Sequence, residues 1–398
     1  MQTDVIGAGA MGRGMAALLR DAFPHWTVRL IDRDMSALTA AREAWKCEIL
    51  CTDQPQQAEL APVVICAATW PVTLGVIESL ASRATRGLLV SISRPAAEDV
   101  PRVQQALIQA PRLATVLPCG LEPGLTEILA GYLLESTEEV QSLRICCGGI
   151  VVPRPANPLG YKRLFGTSHL PLAKRDAYCI RDGALCVVPR FSDVQQLAWP
   201  GIGVLEHWHD GMQPRLSEHP KLSRPGVHAD QRTLRWTRYV ELVALLDQLG
   251  VLAEDAVDEN TGLTPKQLFE RATQRTFGLA ENEQTKTLLA IDLAGSRHGR
   301  RSVQGLRLTF TDRVDVRSMA LATCLPVVFL VNWLTGAGKA VGGFHYPETI
   351  ITPQIAPVML DWLARRGVEI TMDRCDDDAE EGTAGLGRRE RDSVPSPL

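Results

Sequence analysis

Over the first ~120 residues, short apolar runs alternate with amphipathic stretches, the pattern of a parallel sheet covered by helices on both faces. The runs predict strands over 3–6, 27–31, 47–50, 63–67, 88–92 and 114–117, with apolar clusters at 15–19 and 74–80 marking helices between them. Beyond Pro118 the texture changes. Gly148-Gly149 and the proline-rich stretch 153–158 signal turns, not further β-α units. Strand-like segments lie at 142–147, 185–188, 288–293 and 305–311, and a Gly-, Ser- and Arg-rich loop over 295–302 joins the last two as an antiparallel hairpin. Apolar positions 240, 242, 243, 245, 246 and 249 predict an amphipathic helix over 239–249. From Asp373 onward the chain turns polar, with an acidic cluster at 376–381, and is expected to be a disordered tail. No internal repeat is found.

A chain of 398 residues is long for one core, so two domains are expected. Hydrophobic residues make up 45% and charged residues 22%, as in soluble globular proteins, and a formal charge of −4 offers no basic footprint for nucleic acid. Ten cysteines without a C-x-x-C pair read as reduced, mostly buried thiols of a cytoplasmic protein. With the first strand starting at about Thr3, no secretory or organellar leader is expected. Residues 318–338 carry no charge and approach the length of a membrane span. Pro326, Asn332, several hydroxyl residues and the glycines at 336 and 338 favour a buried helix instead, so no membrane partner is expected. His207-x-His209-Asp210, expected in an exposed loop, and Cys47-x3-Cys51 supply too few ligands to predict a metal site.

Gly7-Ala8-Gly9-Ala10-Met11-Gly12 follows the first strand and opens the first helix, as a dinucleotide-binding turn requires. The first glycine permits the tight turn, the second lets backbone approach a pyrophosphate, and the third packs helix on strand. Asp32 ends the second strand, placed to accept hydrogen bonds from adenosine ribose hydroxyls and to favour NAD, while Arg33 beside it leaves NADP open. Ala67-Ala68-Thr69, after the fourth strand, either borders the nicotinamide half of the cofactor or is an ordinary strand-to-helix turn.

Several further segments carry a more specific likeness. They are Pro118-Cys119-Gly120-Leu121-Glu122-Pro123-Gly124-Leu125, then Cys147-Gly148-Gly149-Ile150 with Asn157-Pro158-Leu159-Gly160-Tyr161-Lys162, then Arg232-Thr233-Leu234-Arg235-Trp236, and the stretch from Arg317 through Gly338 and Gly343 to Pro347-Glu348. Together with the glycine turn, and in this order, they resemble the saccharopine dehydrogenase family, which includes saccharopine reductases, lysine 6-dehydrogenases and carboxynorspermidine dehydrogenases. The resemblance implies an α/β protein with a doubly wound Rossmann sheet over 1–122. A second α+β domain with a mixed sheet, over 123–316, would bind substrate and mediate homodimerisation. A helical return over 317–372 would complete the first domain, ahead of a tail over 373–398. The activity implied is NAD(P)-dependent oxidoreduction at a carbon–nitrogen bond of a small amino-acid-like substrate.

For that chemistry the family likeness makes Arg235 the carboxylate-binding residue, because a guanidinium grips a carboxylate bidentately; the bland alternative is a plain ion pair. Glu122 either binds a substrate ammonium, acts as base, or sits in a sharp turn. Tyr161 either protonates and orients the nitrogen or is a packed aromatic, and Asn157 is placed to hydrogen-bond the substrate. Cys119 is a candidate pocket-lining residue and otherwise an inert thiol. Arg238-Tyr239 before Glu241, and Ser93-Arg94-Pro95 after the fifth strand, depart from the family pattern, which leaves substrates other than lysine or saccharopine open. The first functional expectation is reduction of an imine formed from an amine and a carbonyl compound. The alternatives are oxidative deamination of a terminal amine, as in lysine 6-dehydrogenases, and a non-catalytic NAD(H)-binding module.

Overall fold

The computed structural model describes residues 1–164, 170–257, 262–336, 342–377, 390 and 391. The chain divides into two compact units, Met1–Tyr132 with Asp312–Arg366, and Leu133–Thr311 with the described residues from Gly367 onward.

In the first unit every predicted strand forms, each within about a residue of its expected ends, as strongly patterned segments should. β1 (Gln2–Ile6), β2 (Thr27–Asp32), β3 (Glu48–Cys51), β4 (Val63–Cys66), β5 (Gly87–Ser91) and β6 (Leu113–Val116) are parallel, in the order 6-5-4-1-2-3, and Gly343–His345 adds to the edge beside β6. This is the doubly wound Rossmann order, and its switch point lies between β1 and β4. β4, Val-Val-Ile-Cys, is buried along its whole length because helices cover both faces of the sheet. Asp4 is buried in β1, where Arg29 holds it through Nε (2.8 Å) and Nη2 (2.7 Å) and the Ala61 N–H donates to it at 2.7 Å.

Between the strands run α1 (Ala10–Ala22), α2 (Met35–Trp45), α3 (Trp70–Ser82) and α4 (Val100–Ile108). Asp34 caps α2 by accepting from the Ser36 and Ala37 N–H groups at 2.9 and 3.1 Å. The uncharged run forms the helix Ser318–Gly336, with Pro326 inside it. It is long and apolar enough to cross a bilayer, yet 72% of its most apolar window is buried within the protein. There it lies against α1, and the contact is close because Gly14 has no side chain. A Cβ at that position would stand 3.0 Å from the Ala320 Cβ and 3.3 Å from Val316 Cγ1.

The second unit is built on a mixed sheet. β7 (Glu139–Val152), β8 (Asp176–Arg181), β9 (Ala184–Pro189), β10 (Gln195–Trp199), β11 (Gly203–His209), β12 (His228–Trp236), β13 (Gln284–Arg297) and β14 (Arg300–Thr311) are joined by Glu369–Asp377 beside β14. β12 and β7 are parallel, the other pairs antiparallel, and β8–β9 is a hairpin attached to β12. Three expectations are corrected here. Gly148 and Gly149 are not a turn but lie buried inside β7. The loop expected over 295–302 shrinks to His298-Gly299, both at positive φ, because the two-residue turn matches the twist of its strands. Residues 373–377, expected in a disordered tail, pair with β14, since backbone hydrogen bonds alone can add a polar edge strand. The tail expected over 378–389 and 392–398, and Gly338, lie outside the described residues.

Replacing Gly14 by Leu should force α1 away from Ala320 and Val316 and cost about 1–3 kcal/mol, read as a lower urea midpoint. An unchanged midpoint would show that this close approach contributes nothing.

Candidate active site

The turn between β1 and α1 is shaped by what its glycines exclude. Gly7 sits at φ +102, and a Cβ there would lie 2.5 Å from the Ala67 carbonyl oxygen. A Cβ on Gly12 would lie 1.7 Å from the Gly7 oxygen. Gly9 differs, because a Cβ built on it meets nothing within 4 Å. Two glycines are therefore required by packing, and the third faces open space that suits a pyrophosphate. Ala10 and Met11 form the first turn of α1, where unbonded N–H groups favour an anion. Gly7, Gly9, Asp32, Arg33, Ala67, Ala68 and Thr69 line a cleft of about 380 Å³. The Asp32 carboxylate accepts from the Ala8 N–H at 2.6 Å and the Asp34 N–H at 3.0 Å, so it braces the turn it faces. Thr52 and Asp53 line the same cleft and were not expected from sequence. The only signal for them was their place just after β3, beside β2. The residues present thus fit a dinucleotide.

Elsewhere in the first unit, the Pro118–Leu125 motif folds into a tight loop. Gly124 has φ +132, and a Cβ there would lie 2.5 Å from the Gly120 nitrogen. Glu127, another residue not anticipated, is buried and accepts from the Gly124 N–H (2.6 Å) and the Thr126 hydroxyl (2.7 Å). Glu122 is partly buried in this loop. Cys119 has no exposed surface, and burial, reinforced by nearby Glu348, pushes its thiol well up, which suits the inert thiol of the two readings.

In the second unit Arg235 is 9% exposed. Its Nη1 donates to the Leu234 carbonyl at 2.7 Å, its Nε is buried without a partner, and its guanidinium carbon lies 5.2 Å from the Tyr161 ring centre. Among the described residues no carboxylate pairs with it. Gly148 makes the space, since a Cβ there would stand 2.7 Å from Arg235 Nη1. Tyr161 is itself buried and packs edge-on against Tyr239, which stacks on Trp208. Burial raises the Tyr161 pKa, and Arg235 partly opposes the rise. The Asn157 amide donates to the Tyr161 carbonyl (2.9 Å) and accepts from the Tyr161 N–H (3.2 Å), so it pins the backbone of the tyrosine.

The sequence model of the saccharopine dehydrogenase C-terminal domain matches residues 120–368. The chain belongs to the saccharopine dehydrogenase-like family. Among solved structures, apo saccharopine dehydrogenase (L-Glu forming) from Saccharomyces cerevisiae is similar over 94% of this chain and 99% of its own, at 16% identity and a TM-score of 0.76. It shares the fold, that of a saccharopine dehydrogenase-like oxidoreductase. GenD2 from gentamicin A biosynthesis, solved in complex with NAD, aligns over 95% of this chain and 97% of its own at 10% identity, with a TM-score of 0.41.

The family's Arg-Thr-x-Arg element holds a second arginine with opposite circumstances. Arg232 is wholly buried with its charge paired to carboxylates, although its Nε, like that of Arg235, has no partner. It donates to Asp230 (2.8 Å), to the Asp193 carbonyl (2.8 Å) and carboxylate, and stands 3.2 Å from His209 Nε2 and 3.5 Å from His207 Nδ1. His207 and His209 are therefore buried strand residues and not the exposed loop expected, because partners from neighbouring strands satisfy them. Among the described residues no three His, Cys, Asp or Glu side chains gather as a metal site. Burial, then the charges of Arg232 and Arg144, lower the His207 pKa to about 4. An unfolded histidine takes a proton near 6.5. This residue's contribution is thus complete above pH 6.5, declines as acid protonates the unfolded chain, and is gone below about pH 4. Urea unfolding of the second unit should lose on the order of 2 kcal/mol over that window. His207→Gln should flatten the slope, and an equally steep variant would assign the titration elsewhere.

Proposed function

We propose that the protein is an NAD(P)-dependent oxidoreductase acting on a carbon–nitrogen bond of an amino-acid-like substrate, and that it reduces an imine formed from an amine and a carbonyl compound. The observation that carries this reading is Arg235, a buried guanidinium without a carboxylate partner among the described residues. An isolated buried charge costs several kcal/mol, and a substrate carboxylate would relieve that cost. A bound dinucleotide supplies the hydride.

The chain's own groups do the rest. Gly9 with the first turn of α1 receives the pyrophosphate. Asp32 offers its carboxylate to ribose hydroxyls, and Asp53 adds a second negative charge to the same cleft. Both disfavour a 2′-phosphate and so favour NAD, while Arg33 is a cation on that cleft through which NADP could still be held. Arg235 holds the substrate carboxylate. Tyr161, kept protonated by its burial, orients the nitrogen and donates a proton to it. Glu122 receives an ammonium or takes a proton from the amine. Run in reverse, the same groups serve oxidative deamination, which the preference for NAD favours. All ten cysteines are free thiols, which suits a reducing cytoplasm.

Incubation with amine, 2-oxo acid and NADH should consume NADH only when both organic partners are present. NADH formation from a single diamino acid would instead establish the deaminating reaction, and inertness in both directions a non-catalytic binding module. Arg235→Met should lower kcat/KM about 10²–10³-fold. The same variant should raise the Tm of the ligand-free protein, because it removes an uncompensated charge. A drop in both would make Arg235 a structural ion-pair residue. Asp32→Ala should weaken NAD binding about tenfold by calorimetry and leave NADP binding unchanged or tighter; equal losses for both would remove Asp32 from the ribose.

A further inference from the structure

β8 and β9 form a hairpin whose turn is Asp182-Gly183, both at positive φ. Within it Cys179 and Cys186 are register partners. Partners on antiparallel strands point to the same side and stand about 4.5–5.5 Å apart at Cα, inside the span a disulfide bridges. Their surroundings differ. Cys179 has no exposed surface, whereas Cys186 is partly exposed. Its strand pairing with the rest of the sheet is to β12, where Ala229 faces Ile180 and Asp230 faces Cys179. Arg181 of the same hairpin reaches His209 at 2.9 Å.

We infer that Cys179 and Cys186 are a thiol pair that a small-molecule disulfide converts reversibly into a cross-strand disulfide. The exposed partner reacts first. The Cys186 thiolate attacks a sulfur of oxidised glutathione, one S–S bond forms as the other breaks, and one glutathione leaves as a thiol. The Cys179 thiolate then attacks the Cys186 sulfur and expels the second glutathione. Two protein thiols lose two electrons and two protons, and one oxidised glutathione becomes two reduced ones. The order matches the environments, since burial pushes the Cys179 thiol up and suits it to wait until a neighbouring sulfur is activated. The product braces the hairpin where it joins β12, the strand that also carries Arg235.

The test uses the full chain in oxidised glutathione, followed by tryptic digestion without reductant. Cleavage after Arg175, Arg181 and Arg190 puts the two cysteines on separate peptides, 176–181 and 182–190. A joined peptide, lighter by two hydrogens than its parts and separated by dithiothreitol, is the expected result. Cys179→Ser should leave glutathione on Cys186, and Cys186→Ser should leave Cys179 unmodified. Persistent glutathione on Cys186 in the unaltered protein, or both peptides recovered free, would overturn the pairing. Modification of Cys179 in Cys186→Ser at an undiminished rate would overturn the order of attack.

Discussion

A guanidinium enclosed by protein without a counter-charge among the described residues is an expensive thing to fold, and a small set of neighbours in the second unit accommodates Arg235. The neighbouring strand carries glycine at 148, where a Cβ would stand 2.3 Å from the Leu234 carbonyl oxygen and 2.7 Å from Arg235 Nη1. One face of the cation rests on the Tyr161 ring, an interaction worth about 0.5–2 kcal/mol when desolvated. That ring is held in turn by the Asn157 amide at its backbone and by the stack of Tyr239 on Trp208 behind it. Each neighbour positions the charge, and none neutralises it.

The same strand shows what neutralisation looks like. Arg232 lies three residues earlier, hence on the other face of β12. There two carboxylates and two imidazoles surround it. Hydrogen bonds from Arg232 and Gln195 hold the Asp193 carboxyl at about 2. Burial pushes the Asp230 carboxyl up, and hydrogen bonds from His209 and Arg232 more than reverse it. One strand therefore carries an arginine paired with carboxylates on one side and, on the other, an arginine with no carboxylate partner among the described residues.

Features that depend on local period were legible in the sequence. The first six strands, the glycine turn and Asp32 needed only an alternation of apolar and polar residues and the right punctuation. Features that depend on partners distant along the chain were not. Gly148 read as part of a turn because its reason, the Leu234 carbonyl and the Arg235 side chain on β12, lies far along the chain. His207 and His209 read as surface because Arg232 and Asp230 come from another strand. Asp53 gave no local signal, since its place in the cleft follows from the strand order. Family resemblance located Arg235, but only the three-dimensional contacts revealed that it lacks a counter-charge among the described residues.

The helix Ser318–Gly336 has a consequence for how the protein is made. α1 is finished within the first 22 residues, yet the partner that covers Gly14 is encoded some three hundred positions later. A nascent chain leaving the ribosome N-terminus first must therefore carry an incomplete nucleotide-binding layer throughout synthesis of the entire second sheet. The face of α1 around Gly14 stays without its cover until Val316 and Ala320 have been made.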